Sequence, residues 1–176
     1  MDYRDKKCLI AYFSRPGENY SRGQLVHLPI GNTQIAADIL RGHVQGDMFL
    51  IEAAERYPDS YAATVERARQ EKRDNARPAL RYDLSEVTAY DVIFLGYPNW
   101  CGTMPMPVWT FLEAHDFSDK IIKPFCTHEG SGFGHSLEDI QALAPQAKLS
   151  RGITLLGTTV ADAEGDIRRW LQLETI

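Results

Sequence analysis

The chain has 176 residues, 44% hydrophobic and 24% charged, which is the make-up of one globular domain with room for an insertion and excludes a disordered or fibrous chain. Nineteen Lys and Arg stand against 24 Asp and Glu, a formal charge of −5, so the chain has no basic footprint for a nucleic acid backbone. No apolar run approaches the ~18 residues that cross a bilayer, and Met1 to Lys7 leads only into a short apolar run, so neither a membrane span nor a signal peptide is expected.

Cys8 to Phe13 is an unbroken apolar run, the mark of a strand buried on both faces of a parallel sheet. Arg15 to Ile30 follows, where connections of this kind usually take about 2–6 residues. Within it Gln24 to Leu28 alternates polar and apolar, which allows a small hairpin on the domain edge. Behind Gly31-Asn32-Thr33, residues Ile35, Ala36, Ala37, Ile39 and Leu40 have helical spacing, and Gly42 is placed to end that helix in a left-handed cap. Asp47 to Ala53 reads as a second strand and Ser60 to Arg73 as a charged amphipathic helix entered through Pro58-Asp59. Asp91 to Tyr97 is a third strand, stopped by Pro98, and a helix over Val108 to Ala114 starts near Pro105 and Pro107. Ile121 to Thr127 is a fourth strand, Ser136 to Leu143 a short helix, and Ile153 to Gly157 a fifth strand. Asp162 caps a last helix with Ile167, Trp170 and Leu171 as its buried stripe. Five strands alternating with five helices imply a parallel sheet covered on both faces, one domain over residues 1–176 with an insertion at about 15–30.

Ligands of such sheets bind beyond the carboxyl ends of the strands, so those ends carry the chemistry. Gly31-Asn32-Thr33 offers free N–H groups at a helix start and suits a phosphate as well as it suits an ordinary cap. Trp100, after a proline stop at the sheet edge, is a candidate stacking surface, whereas Trp109 and Trp170 on helical stripes read as core. His128, Glu129 and His135 read as solvated or capping groups rather than as an acid–base set. Cys8, Cys101 and Cys126 are odd in number and far apart, which argues against a disulfide framework or zinc site and fits a reducing cytoplasm; Cys101 and Cys126 read as packing residues near adjacent strand ends. Gly130 to Gly134 follows the fourth strand rather than the first, which rules out a dinucleotide fingerprint, and no nucleophile elbow is present.

Taken together, Ala11-Tyr12-Phe13-Ser14, Gly31-Asn32-Thr33, Gly96 to Trp100 and Pro124 to Gly132 resemble the flavodoxins and flavodoxin-like FMN proteins, over nearly the whole chain. The resemblance implies a three-layer, doubly wound α/β fold with a five-stranded parallel sheet in order 2-1-3-4-5, and bound FMN. It implies that Ser14, Gly31, Asn32 and Thr33 hold the phosphate, with Arg15, Asn19 or Ser21 supplying what the split loop lacks unless the insertion folds outward. Pro98, Asn99, Trp100, Cys101 and Gly102 would edge the flavin ring, and Thr127, His128, Glu129, Gly130, Ser131 and Gly132 its other side and the ribityl chain. Gly102 or Gly130 would turn a carbonyl toward the ring, since glycine accepts either sign of φ. The implied function is electron transfer, the flavin cycling between oxidised, semiquinone and hydroquinone states with a redox partner protein docked on it. The alternatives are an NAD(P)H-dependent FMN or quinone oxidoreductase, with the insertion and His128 or Tyr97 shaping a substrate pocket, and a binding module without flavin. The charge of −5 is mild for a dedicated carrier.

Overall fold

A computed structural model of the protein describes residues 3–173; Met1 and Asp2, on which part of the leader reading falls, lie outside them. The central sheet is built from β1 (Cys8–Tyr12), β4 (Asp47–Leu50), β5 (Val92–Pro98), β6 (Ile121–His128), β7 (Lys148–Leu149) and β8 (Ile153–Leu156), with β2 (Gly17–Ser21) and β3 (Gln24–Leu28) forming a separate antiparallel hairpin. All pairings of the central sheet are parallel and run β4-β1-β5-β6, with β7 and β8 sharing the outer edge of β6. The order is the expected 2-1-3-4-5, but the fifth position is split in two. Ser150 N–H donates to Ile122 O (2.9 Å), so even-numbered β6 residues face that edge. Pro124 therefore faces the edge with no N–H to give, and pairing lapses there until Phe125 meets Ile153.

The five α-helices among the described residues are α1 (Asn32–Val44), α2 (Tyr61–Arg73), α3 (Met106–Ala114), α4 (Ser136–Leu143) and α5 (Glu164–Gln172). Leu9, Ala11, Ile93, Leu95, Ile122 and Cys126 pack on one sheet face against Val108, Phe111 and Leu112 of α3 and Ile140 of α4. Cys8, Ile10, Val92, Phe94 and Phe125 pack on the other against Ala36, Ala37 and Leu40 of α1 and Ile167, Trp170 and Leu171 of α5. Strands buried on both faces explain why their sequences run unbroken instead of alternating. No helix among the described residues is long and apolar enough to cross a membrane.

Two caps differ from expectation. Gly42 lies inside α1, which continues to the buried Val44 and ends at Gln45 (φ 52°); burying that valine outweighs the ~1 kcal/mol that an internal glycine costs. Asp162 does not cap α5: Gly157–Asp162 forms a 3-10 turn pinned by the buried Val160, and α5 starts behind Ala163 without a side-chain cap, its Glu164 and Asp166 facing the positive helix end.

Candidate functional site

The hairpin leaves and rejoins the chain at one place, because Ser14 and Gly31 touch across its base. A Cβ added to Gly31 would lie 2.2 Å from Ser14 Oγ and 2.8 Å from both the N and the O of Arg15, so this position admits no side chain. Its φ of −69° is ordinary, which makes the requirement steric rather than conformational. Ser14 Oγ accepts from Gln34 N–H (3.1 Å), while the N–H groups of Asn32 and Thr33 find no acceptor among the described residues. No acidic residue stands in the first turn of α1, so nothing offsets the positive end of the helix dipole. Thr33 Oγ1 and Thr127 Oγ1 share a buried 2.7 Å hydrogen bond that ties this helix start to the end of β6.

Arg15 lines the same cavity, yet its guanidinium is spent on protein. Nε donates to Thr64 Oγ1 (3.2 Å), Nη1 to the carbonyls of Pro16 and Glu18 (both 2.8 Å), and Nη2 to those of Glu18 (2.7 Å) and Asp59 (3.2 Å). The side chain clamps the hairpin to the start of α2, which corrects its reading as a free phosphate donor. Asn19 Nδ2 is likewise bonded to the carbonyls of Arg15 and Gly17. The hairpin does not fold outward: Glu18 accepts from Tyr61 N–H (2.9 Å) and Tyr20 stacks on Tyr61 (6.1 Å). On its far side Ser21 Oγ lies 3.3 Å from Thr158 Oγ1, and Thr158 donates its N–H and hydroxyl to Glu129 (2.8 and 2.5 Å).

Residues 98–103 form the second wall. Trp100 and Thr103 exchange backbone hydrogen bonds (2.8 and 3.1 Å) around Cys101 and Gly102, both at positive φ (54° and 82°), the signature of a type I′ turn. Lys72 Nζ holds Cys101 O (2.6 Å), Asn99 Oδ1 takes Gly102 N–H (3.1 Å), and His135 N–H holds Gly102 O (2.8 Å). A Gly102 carbonyl so held cannot swing toward a ligand without losing that bond, which removes Gly102 from the expected role. Asn99 Nδ2 donates to Gly132 O (2.8 Å), locking this turn to the third wall. Trp100 stands edge-on to Phe13 and Tyr57, both at 5.0 Å. Tyr57 is in turn held by Glu71 (2.5 Å) and by Arg67 stacked 4.1 Å over its ring, and burial with that carboxylate pushes its hydroxyl pKa far up.

Residues 127–134 form the third wall. His128 Nδ1 accepts from Gly130 N–H (2.8 Å), so the neutral ring carries its proton on Nε2. Burial lowers the His128 pKa below 6.5, and it does the same to His115, which packs against Phe111 (4.9 Å). For both, the unfolded chain takes the proton first as pH falls, so their contribution is present above 6.5 and lost below it. The thermal midpoint is expected to drop between pH 7 and 5, and less steeply in His128→Asn, whose amide oxygen still accepts from Gly130; an unchanged slope would refute the assignment. Tyr97, a candidate pocket residue in the sequence, is fully buried and bonded to Ser136 Oγ (2.8 Å), away from the cavity. Cys126 is buried with its thiol pushed up to about 12, and Cys101 is exposed; both are free.

These walls enclose a cavity of about 460 Å³. Ser14, Arg15, Asn32 and Thr33 line one end, Pro98 to Cys101 a side, and Thr127, His128, Glu129 and Ser131 another. Gly31, Gly102, Gly130 and Gly132 of the predicted set are not among the residues that line it; Gly102, Gly130 and Gly132 sit at positive φ in the loops that do. Sequence reasoning missed the fourth wall, Tyr61, Thr64, Val65, Ala68 and Arg69 of α2 with Tyr20 of the hairpin. The signal was present: positions 61, 64, 65 and 68 form a helical stripe, which periodicity assigns to a core, and here the stripe faces the cavity. No group of three or more His, Cys, Asp or Glu among the described residues is arranged to hold a metal.

The family model described as Flavodoxin matches residues 7–174. No curated protein matches the sequence. Among solved structures, a candidate flavoprotein from Bacteroides eggerthii DSM 20697 is 30% identical, with a TM-score of 0.78 over 96% of this chain and 98% of that one. A second, from Bacteroides uniformis ATCC 8492, is 26% identical with a TM-score of 0.74 over 94% and 97%. A flavoprotein in complex with FMN from Lactobacillus acidophilus NCFM has the same fold at 18% identity, TM-score 0.65, over 92% and 97%.

Proposed function

The chain belongs to the flavodoxin family, and from that premise we propose that it binds FMN and serves as an FMN-dependent oxidoreductase acting on a small molecule. The residues fit the cofactor. The free N–H groups of Asn32 and Thr33, at the start of a helix with no acidic residue in its first turn, make an anion cradle that needs no lysine. Pro98 to Cys101 and Thr127 to Ser131 then border the cavity where a planar ring system would extend from that cradle, with the Trp100 indole as an aromatic wall. Bound there, FMN supplies one- and two-electron redox chemistry at its ring. The chain's part is to hold the phosphate at α1, to orient the ring by the two knitted loops, and to present the His128 Nε2–H as a fixed donor.

The observation that carries the enzyme reading is the α2 wall. A carrier presents the ring edge to a protein partner, whereas here Tyr20, Tyr61, Val65, Ala68 and Arg69 close a further side of the cavity. That reverses the order suggested by the family resemblance, which put the carrier first. The test is reconstitution with FMN and anaerobic mixing with NADPH, then a quinone. Rapid bleaching and quinone-driven recovery of the flavin band are expected. A colourless protein that takes up no FMN would overturn the cofactor, and a flavin that only a reductase protein bleaches would restore the carrier.

A further inference from the structure

The α2 wall differs in charge from the rest of the cavity. Arg15 has spent its donors on protein, and Glu129 has spent both carboxylate oxygens on Thr158. Arg69 also lines the cavity, and its guanidinium has no hydrogen bond or ion pair among the described residues. The cavity of a chain with formal charge −5 thus holds an uncommitted cation and no uncommitted carboxylate.

Its place along α2 says which ligand it serves. The first turn of α2 is pinned to the hairpin base through Glu18 and Tyr61 (2.9 Å), next to the phosphate cradle, and its last turn is pinned to the ring-bordering turn through Lys72 and Cys101 O (2.6 Å). Arg69 lies one turn before Lys72 on the same face, about 12 Å along the axis from Tyr61. It therefore stands at the ring end and away from the phosphate cradle. Between the two, Val65 and Ala68 add apolar side chains to the lining of the cavity that Trp100 also borders.

Resting on the FMN reading above, we propose that Arg69 anchors the second reactant, a planar aromatic electron acceptor bearing a carboxylate or sulfonate. The apolar body lies along Val65 and Ala68, and the anionic group pairs with the guanidinium fork, a geometry that a lysine ammonium would not reproduce.

The probes are anthraquinone-2-sulfonate and neutral 2-(hydroxymethyl)anthraquinone, titrated into FMN-loaded protein and followed by tryptophan and flavin fluorescence. The sulfonate is expected to bind about tenfold more tightly than the neutral probe, the worth of one charge-assisted pair, with the gap closing at high salt. In Arg69→Met the sulfonate loses that advantage while the neutral probe and FMN bind as before. Because Arg69 is exposed and makes no hydrogen bond or ion pair among the described residues, the variant is expected to fold as the parent does. Equal affinity for the two probes, or an unchanged preference in Arg69→Met, would overturn the proposal; loss of FMN affinity in Arg69→Met would assign the charge to the cofactor instead. Failure of the parent protein to bind FMN at all is a separate result, and it would count against the cofactor reading.

Discussion

Gly31→Ala is expected to abolish FMN binding, raising the Kd by at least about 100-fold, near 2.7 kcal/mol. The added methyl would stand 2.2 Å from Ser14 Oγ and 2.8 Å from two backbone atoms of Arg15, and the backbone cannot swing away as a long side chain could. Either the base of the hairpin opens or the start of α1 shifts, and both displace the Asn32 and Thr33 N–H groups from the cradle. Ser14→Ala separates the steric from the polar contribution, since it removes one of the two acceptors of Gln34 N–H, which keeps the Gly31 carbonyl (3.1 Å), and is expected to cost less than about 1 kcal/mol of stability. Isothermal titration with FMN reads Gly31→Ala and thermal unfolding of the apoprotein reads Ser14→Ala; a Gly31→Ala protein that binds FMN like the parent would place the phosphate elsewhere.

Trp100→Ala is expected to weaken FMN binding by about 1–3 kcal/mol, the worth of stacking a planar ring on an indole. The same change deletes two edge-on aromatic contacts, to Phe13 and Tyr57, each worth about 0.5–1.5 kcal/mol, so the apoprotein should also melt earlier. Trp100→Phe keeps an aromatic face and is expected to recover most of the affinity. An apoprotein that is destabilised while the FMN Kd stays the same would make Trp100 a packing residue alone.

Most of the fold was legible because its strands are buried on both faces, so Cys8 to Tyr12 and Val92 to Tyr97 announce themselves as apolar runs regardless of partner. Three strand-end motifs then located the cavity, because a parallel sheet collects such ends at one rim. What was hidden depends on side chains far apart in sequence. Arg15 reads as a free cation until the carbonyls of Glu18 and Asp59 are seen to surround it. Gly102 reads as a free hinge until His135, thirty-three positions on, takes its carbonyl. The stripe on α2 has the periodicity of a core face, and no local pattern tells whether such a face meets a sheet or a cavity. Gly42 and Asp162 have the right residue types for caps, yet the burial of Val44 and Val160 moved the helix ends past them.

The lapse opposite Pro124 has a bearing on solubility. An outer strand with an unbroken row of open N–H and C=O groups is a template on which a second molecule can add its own strand. Here the outer position is cut into pieces of two and four residues, and the register against β6 slips by one residue between them. A proline in the neighbouring strand thus keeps the rim from offering the long, flat ladder that edge-to-edge aggregation requires.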